Sequence, residues 1–223
     1  MHDKVVFITG ISRGIGKALA EKFLAEEYEV VGTSTSGKAS IKHKLLTVLN
    51  LNLSLPESIE ECVKVFTKLN KKIDILINNA GIYANNEDPV MKIDYLRKVL
   101  EVNLIGTIDL TERLLPFVRE GGKIINISSR AGSITNVGIK KNVDYPDYRI
   151  SKASLNMYTK TLSIRLEGKE IIVASIHPGW VETDMGGKGA EFKPHESAEN
   201  IYNKIVNLKE TGQFWFKQDK LPW

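Results

Sequence analysis

Residues 5–16 read Val5-Val6-Phe7-Ile8-Thr9-Gly10-Ile11-Ser12-Arg13-Gly14-Ile15-Gly16. The first four are apolar on both faces, which is typical of a short strand buried in a parallel sheet. The glycines that follow let the backbone turn sharply and approach a pyrophosphate, and the N-terminus of a helix over residues 14–27 would favour its negative charge. This order of strand, glycine-rich turn and helix predicts a dinucleotide-binding α/β fold, although the glycines could also serve only a tight turn.

The alternation of strands and helices continues along the chain. Further strands are expected at residues 29–33, 45–49, 73–77, 123–127, 171–176 and 214–216. Further helices are expected from residue 56, and over residues 94–118, 148–166 and 196–208. With no internal repeat or linker, the pattern predicts one domain over residues 1–223. We expect a doubly wound α/β architecture, with a mostly parallel sheet of about seven strands and helices on both faces.

Composition excludes several classes of protein. The chain has 223 residues, of which 42% are hydrophobic and 26% charged, and a formal net charge of +4. Its basic residues are spread along the sequence, which argues against a nucleic-acid partner, and no apolar run approaches the roughly 18 residues of a membrane span. The single cysteine, Cys62, cannot form an internal disulfide, and the first strand leaves no room for a signal peptide. These features predict a cytoplasmic protein.

Tyr148 and Lys152 lie four residues apart, one turn apart on one face of a predicted helix. An ammonium beside a phenol favours the phenolate and lowers the pKa of the phenol from its usual value of about 10. Such a tyrosine can act as a general acid or base. A surface pair on a helix is the alternative interpretation of this spacing alone.

The Gly-x-x-x-Gly-x-Gly spacing of the first turn resembles that of the short-chain dehydrogenases/reductases, and the resemblance extends over essentially the whole chain. The other matching motifs are Asn79-Ala80-Gly81, Asn103, Ser129 in a Ser-x-x-Gly pattern, Tyr148 with Lys152, and Pro178-Gly179 followed by Thr183. All of them follow predicted strands or lie on predicted helices near the carboxyl edge of the sheet, where open α/β sheets bind ligands. The resemblance implies a Rossmann fold and an oxidoreductase.

The resemblance also implies roles for the four matching polar residues. Tyr148 donates a proton to a carbonyl oxygen during reduction, and Ser129, rather than Ser128, hydrogen-bonds that oxygen. Lys152 binds the nicotinamide ribose and lowers the pKa of Tyr148. Asn103 holds a water molecule that links Lys152 to solvent.

We expect NADP(H) to be preferred over NAD(H). The stretch after the second strand, Thr33-Ser34-Thr35-Ser36, has hydroxyls and no acid that would repel a 2′-phosphate. Arg13 can pair with that phosphate, or it is a solvated loop charge. Asn52 stands where many relatives have Asp and can accept from the adenine amino group. The expected cofactor contacts are Gly10, Ser12, Arg13, Gly14, Ile15, Gly16, Ser34, Thr35, Asn52, Leu53, Asn79, Ala80, Gly81, Tyr148, Lys152, Pro178, Gly179, Val181 and Thr183.

Residues 148–156, residues 177–187 and the terminal Leu221-Pro222-Trp223 resemble the C-factor/sniffer branch of the family. That branch includes NADPH-dependent carbonyl reductases and proteins first noticed for signalling roles. The resemblance implies reduction of a small-molecule ketone or aldehyde. The alternatives are a cofactor-binding sensor with incidental catalysis, which would not need Ser129, and an NAD-dependent dehydrogenase of secondary alcohols.

Several features near the predicted site have two interpretations. Three glycines in the segment Gly186-Gly187-Lys188-Gly189 indicate a weakly restrained backbone, which could serve as a mobile lid or only as an exposed connection. Trp180 could line the substrate pocket or pack its loop, whereas Trp215 and Trp223 are expected to close the core or an interface. A loop is expected over residues 134–147, and Tyr145 fails as the proton donor because residue 149 is Arg. His177 has no second ligand at metal spacing, so no metal site is predicted, and homo-oligomerisation stays open.

Overall fold

The computed structural model describes residues 4–83, 90–135 and 145–223. Its strands are β1 Val5–Ile8, β2 Glu29–Ser34, β3 Leu46–Asn50, β4 Ile73–Asn78, β5 Val118–Ile127, β6 Ile172–Ile176, β7 Gln213–Phe216 and β8 Asp219–Lys220. Its α-helices are α1 Gly14–Ala25, α2 Pro56–Lys68, α3 Ile93–Leu100, α4 Thr107–Leu114, α5 Pro146–Arg165 and α6 Pro194–Val206.

The strands form one sheet in the order β3-β2-β1-β4-β5-β6-β7-β8. All neighbours pair in parallel except β7 and β8, which are antiparallel. The order reverses between β1 and β4, so the helices cover both faces and the fold is doubly wound, as predicted. The sheet has eight strands rather than about seven, because the two-residue strand β8 folds back on β7.

Both faces of the sheet are buried, which explains the unbroken apolar strands. In β1, Val6 and Ile8 face a core that includes residues of α1 and α6. Val5 and Phe7 face a second core with residues of α2, α4 and α5. Cys62 lies in this second core, where burial raises the pKa of its thiol to about 12, so it is a packing residue as expected. No helix in the described residues is long and apolar enough to cross a membrane.

The predicted single helix over residues 94–118 is wrong in two respects. A π-helical segment, Glu101–Gly106, separates α3 from α4, and it contains Asn103. The chain then leaves the helix through a short 3-10 turn at Leu115–Phe117, and Val118 already belongs to β5. Pro116 lacks an N–H and cannot continue a helix, whereas one extra residue in a π-turn barely disturbs the apolar periodicity on which the prediction rested.

Candidate active site

The first turn and the loop after β4 are bound together. Thr9 Oγ1 accepts hydrogen bonds from the backbone N–H groups of Asn79 and Ala80, both at 2.9 Å. The side-chain amide of Asn79 donates in return to the carbonyl oxygens of Thr9 (2.9 Å) and Gly10 (3.2 Å). A Cβ on Gly16 would lie 2.1 Å from the Gly10 oxygen, so only glycine lets α1 approach this turn. The predicted Asn-Ala-Gly motif therefore shapes the loop ahead of α1.

The N-terminus of α1 suits a phosphate group. Arg13 is its N-cap residue, but the Arg13 side chain makes no capping hydrogen bond and the first turn of α1 contains no acid. The first N–H groups of a helix have no intrahelical acceptor, and the helix dipole attracts an anion. Ser12 is exposed, while Gly14 and Ile15 are half-buried. A dinucleotide pyrophosphate fits this set of donors.

Ser129 and Tyr148 meet across the end of β5 and the first turn of α5. The Ser129 hydroxyl hydrogen-bonds the Tyr148 phenol, and it also accepts from the Ala131 N–H at 3.1 Å. Ser128 is buried and donates instead to Asn156 Oδ1 at 2.6 Å. The structure thus brings together the serine and the tyrosine selected from the sequence, and Ser128 serves packing.

Lys152 and Asn103 complete the group. Lys152 is 5% exposed, and its Nζ donates to the Ile127 carbonyl at 2.8 Å and lies 5.6 Å from the Tyr148 ring centroid. Asn103 exchanges two 2.8 Å hydrogen bonds with the backbone of Ile82 and donates to Ser151 Oγ at 3.1 Å. Asn103 therefore connects the loop after β4 to the helix that carries Tyr148 and Lys152.

The pKa values differ from the expectation that Lys152 lowers the pKa of Tyr148. Burial raises the pKa of Tyr148 to about 12, although the hydrogen bond from Ser129 acts to lower it. Burial lowers the pKa of Lys152 to about 8. Desolvation outweighs the effect of the ammonium, which lies over the ring and bonds the Ile127 carbonyl, so the net pKa of Tyr148 is raised rather than lowered. Tyr148 is a neutral phenol here and can donate a proton.

Two of the residues expected to contact the adenosine, Ser34 and Asn52, use their side chains for hydrogen bonds within their own turns. Ser34 is buried, and its hydroxyl donates to the Lys38 carbonyl (2.8 Å) and accepts from the Lys38 N–H (3.0 Å). Asn52 Oδ1 accepts from both the N–H (3.0 Å) and the hydroxyl (2.8 Å) of Ser54, and Leu53 is buried. The exposed Thr35 is a better phosphate donor than Ser34, and Asn52 Oδ1 is not the free acceptor that the sequence suggested.

The loop after β6 is more restrained than its glycines suggested. Gly186 donates its N–H to Thr183 Oγ1 (3.1 Å) and accepts from Trp180 Nε1 at 2.7 Å. A Cβ on Gly186 would lie 2.0 Å from the Val181 oxygen, so this glycine is fixed by packing. Gly187 and Gly189 have positive φ values of 73° and 82° and open space around them. The Gly187 N–H donates to the Thr183 carbonyl at 2.9 Å. Trp180 therefore packs its own loop, and only the segment beyond Gly187 is loosely held.

Two contacts connect that loop to the rest of the site. A Cβ on Gly14 would lie 3.3 Å from Thr183 Cγ2, so the loop passes directly beside the start of α1. Arg13 pairs with Asp184 at 3.1 Å, and these side chains are 80% and 76% exposed. The serine of α6, Ser197, donates to the Pro178 carbonyl at 2.7 Å and fixes the other end of the loop. Gly179 and Val181 lie between these contacts.

Sequence reasoning missed the aromatic ring of Tyr83. It lies edge-on to Tyr145 (5.2 Å between centroids) and to Tyr148 (6.5 Å), two residues after the Asn-Ala-Gly motif. An aromatic residue so close to a motif at a strand end was the available signal. Most of the expected loop over residues 134–147, including Gly138, Lys140 and Lys141, lies outside the described residues.

The other aromatic residues lie where the core interpretation placed them. Trp215 is buried in the core beside α6, and Trp223 stacks on Phe214 at 5.7 Å. Burial lowers the pKa of His177 to about 3, so this residue is neutral. Within the described residues, no group of three or more His, Cys, Asp or Glu side chains could hold a metal ion.

Known proteins are similar to this chain in sequence and fold. The model of the short chain dehydrogenase family matches residues 4–193. This chain belongs to the short-chain dehydrogenase family. The 3-oxoacyl-(acyl-carrier-protein) reductase FabG of Vibrio cholerae is 34% identical over 192 residues, which cover 83% of this chain and 76% of FabG. The C-signal protein of Myxococcus xanthus is 31% identical over 160 residues, covering 68% of this chain and 93% of that protein.

Solved structures of this short-chain dehydrogenase family place the chain near carbonyl reductases. The NADPH-bound carbonyl reductase from chicken fatty liver has a TM-score of 0.90 at 29% identity, covering 100% of this chain and 95% of that one. The carbonyl reductase Sniffer of D. melanogaster has a TM-score of 0.88 at 26% identity, with 100% of both chains covered. The protein is therefore a short-chain oxidoreductase with a carbonyl-reductase-like structure.

Proposed function

We propose that this protein is an NADP(H)-dependent oxidoreductase that reduces a ketone or an aldehyde, with Tyr148 as the general acid. The observation that carries the proposal is the neutral phenol of Tyr148, hydrogen-bonded to Ser129 and beside the buried Lys152. These three side chains lie at the same edge of the sheet as the turn that precedes α1. That turn offers the donors that a dinucleotide phosphate needs.

The residues divide the work of a carbonyl reduction. A bound nicotinamide cofactor supplies the hydride. Ser129 hydrogen-bonds the carbonyl oxygen and places it within reach of the Tyr148 hydroxyl, which donates the proton. The ammonium of Lys152 stabilises the negative charge that develops on the phenol oxygen. Asn103 keeps α5 and the loop after β4 in register, so the donor and the positioning groups stay together.

Three features support NADP(H). The carbonyl reductase from chicken fatty liver is described with NADPH bound. The stretch after β2 carries hydroxyls and no acid, and Arg13 lies at the start of α1, within reach of a 2′-phosphate. Arg13 would exchange Asp184 for the phosphate, and an exposed ion pair of this kind contributes only about 0–1 kcal/mol.

The relatives bear on the alternatives. FabG is named for reduction of 3-oxoacyl groups, which are ketones, so it agrees with the proposed class of reaction. The similarity to C-signal keeps open a signalling protein whose catalysis is incidental. The pairing of Ser129 with Tyr148 favours an enzyme, because cofactor binding alone does not need it. Oxidation of a secondary alcohol with NAD would use the same residues in the opposite direction.

A panel of ketones and aldehydes, assayed with NADPH and with NADH, tests the proposal. We expect turnover with at least one carbonyl class and a kcat/KM for NADPH at least about tenfold above that for NADH, since a guanidinium–phosphate contact contributes on the order of 1.5–3 kcal/mol. Arg13→Ala should lower the ratio of kcat/KM for NADPH to kcat/KM for NADH. Asp184→Asn, which frees Arg13 from its ion pair, should raise that ratio. No reduction of any carbonyl, or an NADH preference, would contradict the proposal.

A further inference from the structure

Arg130 and Lys217 form a basic pair beside the proposed active site. Arg130 directly follows Ser129, and Lys217 directly follows β7. Both cations lie against the ring of Phe216, with Arg130 Cζ at 5.0 Å and Lys217 Nζ at 5.4 Å from its centroid. Lys217 Nζ also lies 4.6 Å from the centroid of Phe192. The two charges are thus held by aromatic rings, roughly within one Debye length of about 10 Å of each other.

The basic pair is placed next to the reacting groups. The backbone N–H of Arg130 contacts His177 Nδ1 at 3.4 Å, and the His177 ring lies 5.1 Å from Phe216. Phe192 and Phe216 both pack under Gly179, where a Cβ would lie 2.6 Å and 3.5 Å from their rings. The pair therefore sits at the carboxyl ends of β5, β6 and β7, on the side of Ser129 away from the turn before α1.

No acid neutralises these cations within the described part of the chain. Some exposed basic residues elsewhere pair with carboxylates, as Arg165 does with Glu112 (2.6 Å) and Lys193 with Glu182 (2.9 Å). Arg130 and Lys217 have only ring contacts for their charged groups among residues 4–83, 90–135 and 145–223. Two like charges close together without a counter-ion raise the local positive potential and attract an anion.

The tight turn between β7 and β8 sets the backbone of Lys217. Lys217 and Gln218 form the two-residue connection between Phe216 and Asp219, which pair directly. Lys217 has a φ of 52°, in the left-handed region where Asn and Gly are favoured in such hairpins. A lysine at this position is less favourable than Asn or Gly, so replacing it by Asn removes the charge without adding backbone strain.

We propose that Arg130 and Lys217 form an anion-binding subsite at the mouth of the active site, which recognises a carboxylate or phosphate on the carbonyl substrate. This inference rests on the proposed function and narrows its substrate class to anionic carbonyl compounds. Arg130 supplies a planar guanidinium that can hold two oxygens at once, and Lys217 supplies a point charge on a flexible stem. Because Arg130 is adjacent to Ser129, the anion should lie a few bonds from the carbonyl.

The decisive measurement compares each charged ketone with a neutral partner of the same skeleton. The probes are a γ-keto acid and a δ-keto acid, each with its methyl ester, and a keto-alkyl phosphate with its parent alcohol. We expect kcat/KM for the anion to exceed that for its neutral partner by about tenfold or more at low salt, since hydrogen bonds to charged groups discriminate on this scale. Added salt should reduce the advantage. The acid and phosphate arms show which anion is preferred.

Variants of Arg130 and Lys217 distinguish a loss of anion recognition from a loss of stability or of general activity. Arg130→Gln should remove about tenfold of the preference for the anion and leave kcat/KM for the neutral ester within about twofold. Lys217→Asn should also weaken the preference while leaving the melting temperature unchanged or higher, because Asn suits the left-handed position. Lys169→Gln removes the same charge at the opposite edge of the sheet and should change nothing. Equal rates for acid and ester in the native chain, or equal losses on both in Arg130→Gln, would overturn the subsite.

A binding measurement keeps this test separate from the proposed function. The probe is hexanoate against methyl hexanoate, neither of which can be reduced as a ketone, added to the native chain with NADPH. We expect saturation-transfer NMR to show hexanoate binding that Arg130→Gln weakens by about tenfold. Hexanoate binding without turnover of any carbonyl would support the anion-binding subsite and contradict the proposed reductase function. Turnover of neutral carbonyls without hexanoate binding would support the proposed reductase function and contradict the anion-binding subsite.

Discussion

At the scale of single residues, the phenol of Tyr148 is the most sensitive point of the molecule. Its pKa is raised to about 12 by burial, so it keeps its proton across the physiological range. Tyr148→Phe removes only the hydroxyl and leaves the ring contact with Tyr83. We expect kcat to fall by about 10²–10⁴, the usual scale for a general acid, with NADPH affinity nearly unchanged. More than a tenth of native activity on a good substrate would exclude Tyr148 as the donor.

The two adjacent serines should respond in opposite ways. Ser129→Ala removes the hydroxyl that bonds Tyr148, so the rate should fall by about 10–10³ with little loss of stability. Ser128→Ala leaves buried Asn156 without its 2.6 Å partner, so unfolding in urea should show a loss of about 1–3 kcal/mol, with kcat nearly intact. The reverse ranking of the two rates would move the catalytic serine by one position.

Lys152 gives the reaction a defined pH dependence. Burial lowers its pKa to about 8, so the side chain is charged below that pH and loses its proton above it. Since the ammonium stabilises negative charge on Tyr148, kcat/KM for carbonyl reduction should be constant below about pH 8 and decline above it. Rates measured with a three-buffer mixture at constant ionic strength test this. A profile that stays flat to about pH 10 would show that the charge of Lys152 is not needed.

At the scale of elements, the docking of α5 on the turn after β5 sets the distance between Ser129 and Tyr148. Gly132 lies in that turn, and a Cβ there would meet the Lys152 carbonyl carbon at 2.5 Å, so the backbones are in contact. Gly132→Ala should push α5 outward and lower kcat by about 10²-fold, as a misplacement of about 1 Å does. Gly168→Ala, where a Cβ meets nothing within 4 Å, is the matched control for kcat. Unchanged kcat in Gly132→Ala would show that α5 is held elsewhere.

The loop after β6 is expected to close over the site only beyond Gly187. Gly186 is bonded to Trp180 and Thr183, and the Gly187 N–H donates to the Thr183 carbonyl at 2.9 Å. Amide hydrogens at residues 188 and 189 should therefore exchange fast without ligand and slow down with NADPH and a substrate analogue, while the Gly186 and Gly187 amides stay protected throughout. Unchanged exchange at residues 188 and 189 would remove the lid hypothesis.

The elements that the sequence predicted well are those with a strong local signal. The predicted bounds agree with the observed ones to within a few residues for the apolar strands that end in motifs. The same holds for the starts of the helices at Gly14 and Pro56. The π-helical segment around Asn103 was not foreseen, because its one extra residue barely disturbs the apolar periodicity. The close approach of Gly106 to Leu53, where a Cβ would lie 1.9 Å from the Leu53 oxygen, is a contact that the local sequence does not show. The pairing of Arg13 with Asp184 and the desolvation of Lys152 likewise depend on residues far apart in the sequence.

At the scale of the whole molecule, a buried polar ladder joins the helices on one face to the centre of the sheet. Asn78 Nδ2 donates to Thr111 Oγ1 (2.9 Å) and Asn126 Oδ1 (2.8 Å). Asn126 Nδ2 donates to Thr159 Oγ1 at 2.8 Å, and that hydroxyl meets Ser175 Oγ at 2.9 Å. The ladder thereby connects α4, β4, β5, α5 and β6. These elements carry Asn103, Ser129 and Tyr148 on or next to them, so the ladder sets their relative positions.

Asn126 is the centre of this ladder, and its replacement tests whether the ladder acts as a unit. Asn126→Ala leaves the buried amide of Asn78 and the hydroxyl of Thr159 short of a partner, so we expect a loss of about 2–4 kcal/mol in the free energy of unfolding. Thr159→Val removes one of the same hydrogen bonds, so the losses in the double variant should fall short of additivity by about 1 kcal/mol in urea titrations. Thr67→Val, which removes an exposed bond to Val63, should cost less than about 0.5 kcal/mol. Strict additivity of Asn126→Ala and Thr159→Val would mean that the central strands and α5 are held by apolar packing alone, with the polar ladder contributing no coupling between them.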